Sequence, residues 1–528
     1  MAYYTLKDIK VSIYDSRELI EITASLLNIK KEHITEFKIL KRSLDLRHKD
    51  KDIFYVYTFM FSLKCKRPVS DKLEIYLPEK IEEFKIDHKI KPIHRPVIVG
   101  CGPAGLFCAQ TFIEHGIEPI ILERGQRIAQ REKDINKFIN DRKVNKESNI
   151  CFGEGGAGTF SDGKLTSRSK DARQNIVLNT FVKYGADESI LYDNKPHLGT
   201  DVIKKVITNM TDDLISKGAD FRFNAKVENV MLKDNTVCAV SGHGFEIKAD
   251  TVIFACGHSA RDVYEMLNNM GAAIQSKPFA VGVRIEHKRE DIDRLTYKQH
   301  YLKTPLPAAE YILKYQDASD RGVYTFCNCP GGLVIPCITE EGMLCVNGMS
   351  YSKRDGENTN SAIVVTVDQK DFGSMHPLAG IEYQRQLEHN AYVAGGANYS
   401  APIMYCKDLL THTDNKGFSD VRPSYLPGVI QADLHDCIPQ NILNCIKNAL
   451  DDFGRKLNGF NSGKAILTAV ETRTSSPVKI LRDENLQSIN IKGLYAAGEG
   501  SGYAGGIVSS AIDGIKAAQG CINILSNN

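Results

Sequence analysis

Residues 96–125 read PVIVGCGPAGLFCAQTFIEHGIEPIILERG. The apolar run Val97, Ile98, Val99 predicts a buried parallel strand, and Gly100, Gly102 and Gly105 follow it at GxGxxG spacing. The first glycine suits a tight turn, the second lets backbone approach a pyrophosphate, and the third packs the helix on the strand. Pro103 falls in the first helical turn, where its missing N–H costs nothing. With Ala104 it opens a helix whose free amides and dipole favour a diphosphate. Gly116 closes that helix, Ile117 to Leu122 gives a second strand, and Glu123 at its tip is placed to accept hydrogen bonds from a ribose diol, with Arg124 beside it. An acid there argues against a 2′-phosphate. With strand, turn, helix, second strand and acid all present, the stretch reads as a dinucleotide site rather than a plain βαβ turn.

The chain of 528 residues, 42% hydrophobic and 25% charged, has room for several domains with sizeable cores. Its first residues, MAYYTLKDIKVSIYD, lack an apolar signal segment, so the expected location is the cytoplasm, with no membrane partner. Most of the fourteen cysteines, among them Cys101, Cys108, Cys238, Cys256 and Cys521, stand in apolar runs and are expected to be reduced, buried thiols. Net charge is only +2, with a mild basic excess in residues 1–95, so nucleic acid is neither demanded nor expected as a partner.

The fold expected is α/β: a discontinuous, doubly wound dinucleotide domain, an inserted mixed α+β substrate domain, and a small N-terminal α+β domain of ferredoxin-like or ACT-like type. The N-terminal module takes residues 1–90. Leu6 to Tyr14 reads as a strand, Asp15 with Glu18 as a capping box, Leu19, Thr23 and Leu26 as one helix face, 49–52 as a hairpin tip and Ile53 to Leu63 as a strong strand. Charged residues 80–95 read as a linker. The dinucleotide domain is expected over 93–264 and 466–528, and the substrate domain over 265–465, where Tyr, Pro and Asn are more frequent and periodic runs fewer.

Two further segments belong with the fingerprint. CFGEGGAGTFSDGKL, 151–165, has no helical or alternating pattern and must be a loop; the amides of Gly155, Gly156 and Gly158 are placed to line a flat or anionic ligand. The strand in ADTVIFACGHSARD, 249–262, ends in Ala255, Cys256 and Gly257, small enough to pass beside a cofactor. Near the C-terminus a strand from Leu494 ends at Gly498 and Glu499, and a helix opens after Gly505 near Gly506 and Ile507. Its positive dipole end would stabilise an anionic ring.

Taken together, GEGGAGTFSDGKL, GHSARD, CNCPGG, NGMSYSKRDGENTNSAIVV, ETRTSSPVKILRD and GEGSGYAGGIVSSAIDG resemble the uncharacterised bacterial FAD-dependent dehydrogenase family, of the glutathione-reductase-type FAD superfamily. The resemblance implies FAD as cofactor, Glu499 on its ribityl side, and the helix at Ile507 aimed at the flavin pyrimidine. It names no substrate. No second GxGxxG follows a strand, so a dedicated NAD(P)H domain is not expected, and electrons should come from a small-molecule substrate or a transiently bound donor such as NAD(P)H.

For the chemistry itself, Arg473 in the ETRTSSP turn is the strongest candidate for flavin or substrate contact. Arg284, alternating with Glu286 and His287 along a strand, could clamp a carboxylate or form an ion pair on an edge strand. His258 is the histidine nearest a cofactor strand, and Lys164 and Arg354 are loop cations. Cys327 and Cys329 form a CxC pair that could be a redox dithiol or plain buried thiols; their spacing argues against a metal site. The function expected is an FAD-dependent oxidoreductase passing hydride between a small organic substrate and flavin N5. An FAD-dependent RNA-modifying enzyme using the N-terminal module, and a non-catalytic flavin carrier, are the alternatives.

Overall fold

The computed structural model describes residues 2–65, 72–78, 84, 91–167, 170–302, 306–411 and 419–526. Its organising element is a five-stranded parallel sheet in the order Leu494–Ala496, Val252–Phe254, Val97–Val99, Ile120–Leu122, Asp220–Arg222. Val97, Ile120, Val252 and Leu494 stand level across it. Four strand tips therefore end on one line, at Gly100, Glu123, Ala255 and Ala497. The four strands that carry those tips are buried along their full length, as strands covered on both faces must be. Helices Pro103–Glu114 and Ile507–Ser526 pack against one another on one face. A three-stranded meander, Asn229–Lys233, Thr236–Gly242 and Phe245–Lys248, leads into the Val252 strand.

The second body is a seven-stranded sheet in the order Lys314–Gln316, Gly322–Cys329, Asn358–Val367, Phe279–Lys288, Ile466–Glu471, Ala401–Tyr405, Val429–Gln431. Helix Gln440–Lys456 lays Ile442, Ile446, Ala449 and Phe453 into its core, the i, i+4, i+7 spacing of an amphipathic helix. Two sequence boundaries move. Position 264/265 falls inside helix Arg261–Asn269, and Ile466–Glu471, expected in the dinucleotide domain, pairs antiparallel with Phe279–Lys288 instead. The chain passes between the two bodies through a ribbon of Ile274–Ser276 and Val478–Ile480.

The N-terminal sheet runs Ile34–Asp45, Phe54–Leu63, Tyr3–Ser12, Leu73–Ile75, antiparallel throughout, with helix Leu19–Leu27 crossing between its first two strands in sequence. That is the order of a split β-α-β arrangement. Two local expectations fail. Leu26 is 51% exposed while Ile22, Ala24 and Leu27 are buried, and no side chain caps the helix: Asp15 instead accepts from the Arg17 amide and guanidinium. The carboxylate prefers the nearer cation to a backbone donor three residues on. The module is tied to the rest by the fork of Arg42 on Asp193 (2.6 and 2.8 Å) and by the Tyr14 hydroxyl on His300 Nδ1 (2.5 Å). The expected linker, 80–95, lies largely outside the described residues.

The two sheet-covering helices touch at a glycine. A Cβ on Gly514 would stand 2.0 Å from the Ala104 carbonyl oxygen, whereas one on Gly505 meets nothing within 4 Å. Gly514→Ala is expected to cost about 2 kcal/mol or more. It should lower the thermal denaturation midpoint of the apoprotein, with Gly505→Ala leaving that midpoint unchanged.

Candidate functional site

Because the strand tips end on one line, the crevice outside them is where a dinucleotide would lie. A cavity of about 560 Å³ fills that place. All four remote segments line it: Gly100, Gly102, Pro103 and Ala104 of the fingerprint; Gly156 and Gly158 of the loop; Ala255 and Gly257; and Gly498, Glu499, Gly505, Gly506 and Ile507. Glu123, Arg124 and Lys164 are in its wall too. Gly105 and Gly155 are not. Gly105 lies behind the wall, where a Cβ would come within 2.0 Å of the Gly100 carbonyl, so it serves helix packing as its place in the motif requires. Gly155 sits at φ +77° with Thr159 Oγ1 where its Cβ would be, so it shapes the loop from behind.

The diphosphate end is open and uncapped. Helix Pro103–Glu114 starts from Gly102 with no side chain on its free amides, and a Cβ at Gly102 would meet nothing nearer than 3.8 Å. Gly156 approaches from the other side, its would-be Cβ 3.1 Å from Gly102 Cα. Glu123 does more than wait for a ribose: its carboxylate accepts from the Cys101 amide (3.0 Å) and from the Gly125 and Gly153 amides (both 2.9 Å). It thus pins two loops to the strand tip. Arg124 lies over the Phe152 ring at 4.4 Å and forks onto Asp262 (both bonds 2.9 Å), building the outer wall.

At the Ala497 tip the Gly498 amide donates to Asp513 (2.8 Å), which Arg482 holds from behind (2.8 and 2.7 Å). Sequence reasoning gave neither a role, although Asp513 stands in GEGSGYAGGIVSSAIDG and Arg482 in ETRTSSPVKILRD; each carries no local sign of the partner it meets. Burial pushes the Glu499 carboxyl up to about 7, the Gly506 amide and Lys277 opposing only part of it. His258 Nε2 is 3.9 Å from Glu499 Oε1, and burial, with Arg473, Arg261 and Lys277 nearby, pushes this imidazole down to about 3. It is neutral at pH 7, and its buried Nδ1 has no hydrogen-bond partner.

The expected cations are already engaged. Arg473 reaches the cavity wall, but its guanidinium forks onto Glu388 (3.0 and 2.9 Å) and donates to Thr339 (2.9 Å). Arg261 forks onto the same carboxylate (2.6 and 3.0 Å). Burial would raise Glu388, but the two guanidiniums outweigh it and hold the carboxyl well below the usual range. Arg284 is neither a substrate clamp nor on an edge. It is wholly buried on the central strand of the seven-stranded sheet, off the cavity, bonded to Glu471 (2.9 Å), Asn360 (2.7 Å) and the Cys327 carbonyl (2.7 Å).

Cys327 lines the cavity, whereas Cys329 is fully buried behind it; the two sulfurs are 4.0 Å apart across a bulge that breaks the strand register after Phe326. Lys164 donates to the Asn328 carbonyl inside that bulge and pairs with Asp162 at 2.9 Å. Arg354 forks onto the other side of Asp162. His197 bonds the Ser352 carbonyl (3.2 Å), and the helix Thr200–Ser216 starts from Gly199 without a side-chain cap. No group of His, Cys, Asp and Glu among the described residues could hold a metal, and none of their helices is long and apolar enough to cross a membrane.

Comparison with known proteins adds a family. The chain is 42% identical over 525 residues to an "Uncharacterized protein" of Clostridium beijerinckii, covering 97% of each. The two belong to one family. Residues 278–474 match the model described as FAD-dependent protein, C-terminal domain-like, and residues 6–62 match a domain of unknown function. Among solved structures, similar chains include glycine oxidase from Bacillus cereus (13% identity, 81% of this chain and 97% of that one, TM-score 0.35) and CtdE in complex with FAD (12%, 80% and 82%, 0.31). A flavoprotein/dehydrogenase from Cytophaga hutchinsonii is also similar (12%, 82% and 78%, 0.34). The likenesses to structures are loose. The cofactor of this family member is FAD, and the open helix start, the glycine approach and the unpartnered His258 nitrogen all fit such a ligand.

Gly102→Val tests the place of the diphosphate. The position has ordinary extended backbone and free space on its cavity side, so the fold accepts a valine and the ligand does not. The variant should purify colourless, with an apoprotein melting midpoint like that of the unsubstituted chain. A fully yellow variant would remove the assignment.

Proposed function

We propose that this flavoprotein is a dehydrogenase or reductase that passes hydride between a small organic substrate and flavin N5. The observation that carries the reading is a cavity of about 560 Å³ walled by both bodies: strand tips and glycine turns on one side, Cys327, Arg473, Thr474 and Asn347 of the seven-stranded sheet body on the other. A ligand held by the first wall presents its reactive end to the second. Gly100, Gly102 and Gly156 would take the diphosphate, Glu123 the ribose, and Gly498, Glu499 and Gly505 to Ile507 the ribityl and ring. When bound, FAD supplies a two-electron acceptor or donor.

The chain's own residues supply the rest. Glu499, with its carboxyl near half-ionised at neutral pH, holds a proton at the cavity wall, and neutral His258 offers an unpartnered nitrogen beside it. The helix Ile507–Ser526 directs its N-terminal amides toward negative charge developing there. Arg473, held by Glu388, contributes fixed positive charge rather than a mobile clamp. No sequence feature supplies a second dinucleotide domain, so the electron donor enters the same cavity. We place the activity in the cytoplasm, where cysteines stay reduced.

Anaerobic mixing of the FAD-loaded protein with NADH, NADPH and fractionated metabolite pools tests the reading. Bleaching of the flavin by one donor, reversed by oxygen, is expected; a flavin that no donor bleaches would contradict it.

Glu499 gives an independent check. Its folded pKa of about 7 lies above the unfolded carboxylate value, so the folded state binds more protons between them and stability falls as pH rises through that window. Replacing it by Gln removes the titration. Between pH 5 and 7.5 the wild-type apoprotein should lose about 2–3 kcal/mol relative to Glu499→Gln, read from denaturant unfolding at each pH.

A further inference from the structure

Three cysteines from remote segments meet at one side of the cavity. Cys151 stands before the glycine loop, Cys337 follows the strand Leu333–Pro336, and Cys345 precedes the strand Val346–Met349. Cys151 Sγ lies 2.9 Å from Cys337 Sγ, inside the ordinary non-bonded contact of about 3.5–4 Å. The Cys337 amide donates to the Cys345 carbonyl at 2.7 Å, which fixes Cys337 in place. Cys151 and Cys337 both line the cavity; Cys345 is packed behind them and does not. The pair thus differs from Cys327 and Cys329, whose second member is sealed off.

The surroundings suit thiol chemistry. Cys337 hydrogen-bonds the Cys151 sulfur and lowers its pKa to about 6 against the effect of burial, with Arg473 and Arg131 adding positive charge, while the same contact raises Cys337 well above the ordinary thiol value. One sulfur is the nucleophile and the other keeps the proton. A bond of about 2.05 Å between them needs less than ~1 Å of approach.

We propose that Cys151 and Cys337 are a redox-active dithiol that exchanges with small-molecule disulfides entering the cavity and is recharged by the flavin. The flavin half rests on the function proposed above. The Cys151 thiolate attacks one sulfur of R–S–S–R; the S–S bond breaks and RS⁻ leaves with the Cys337 proton. Cys337 then attacks Cys151 Sγ of the mixed disulfide, and the second RS⁻ leaves and takes a proton from water. The sum is one small disulfide reduced to two thiols and one protein disulfide formed. That disulfide takes two electrons and two protons from the reduced flavin, which returns to its oxidised form, and both thiols are restored.

The test needs no variant at first. The FAD-loaded protein is equilibrated with oxidised or reduced dithiothreitol, alkylated on denaturation and mapped by mass spectrometry. A cross-linked Cys151–Cys337 peptide should appear with the oxidised reagent and vanish with the reduced one. If both residues are alkylated at every ratio, the proposal is overturned. Reduced dithiothreitol should also bleach the flavin anaerobically in the wild type and in Cys238→Ser, whose thiol is exposed and off the cavity, and fail to do so in Cys337→Ser; equal bleaching in all three would overturn the electron path. A protein that cross-links reversibly yet never takes up flavin would support the dithiol and contradict the function proposed above instead.

Discussion

One buried guanidinium holds the site together. Arg131 donates to four backbone carbonyls, those of Asn149, Ile150, Glu154 and Gly156, at 2.7–2.8 Å. The loop that carries those carbonyls has five glycines and little regular structure of its own, so its shape has to come from outside. Burial pushes this arginine down to about 10, still cationic at neutral pH, and the charge-assisted bonds offset the cost of removing it from water. A Cβ on Gly153 would strike its Cδ at 2.5 Å, so the loop closes over Arg131 only because glycine stands there.

From that anchor the site follows as a chain of close approaches. Arg131 fixes the loop, the loop brings the Gly153 amide to Glu123 and Gly156 to Gly102, and Glu123 ties both to the strand tip. Parallel register then sets the Ala255 and Ala497 tips level with Gly100. At Gly100, with φ +99°, a Cβ would lie 2.7 Å from the Ala255 carbonyl; at Gly498, with φ +78°, it would lie 2.7 Å from Ala104. The strand tips can meet around one ligand because nothing larger than hydrogen stands between them. The same closeness brings Cys151, carried by the Arg131 loop, against Cys337 of the other body.

The dinucleotide half of this was legible in the sequence because its signals are local. A strand, its glycine turn and its helix adjoin in the chain, so periodicity and spacing reveal Val97–Val99, Pro103–Glu114 and Ile507–Ser526 to within a few residues. The second body was legible only as a change of composition. Its sheet draws strands from positions as far apart as Phe279 and Glu471, and pairing of that range leaves no local trace, which is why Ile466–Glu471 was expected in the wrong domain and Arg284 on an edge. The partners of charged groups were hidden for the same reason. Nothing near Arg473 announces Glu388, and nothing in CFGEGG announces Cys337. Buried ion pairs and thiol contacts are properties of the assembled packing.

The central claim is that one cavity, closed by segments far apart in the chain, holds FAD. The crystal structure of the FAD-loaded protein tests it most directly. The account predicts the diphosphate against the start of helix Pro103–Glu114, the ribose at Glu123 and the ring beside Ile507. Flavin density anywhere else, or a chain that crystallises from excess FAD with this cavity unfilled, would contradict it.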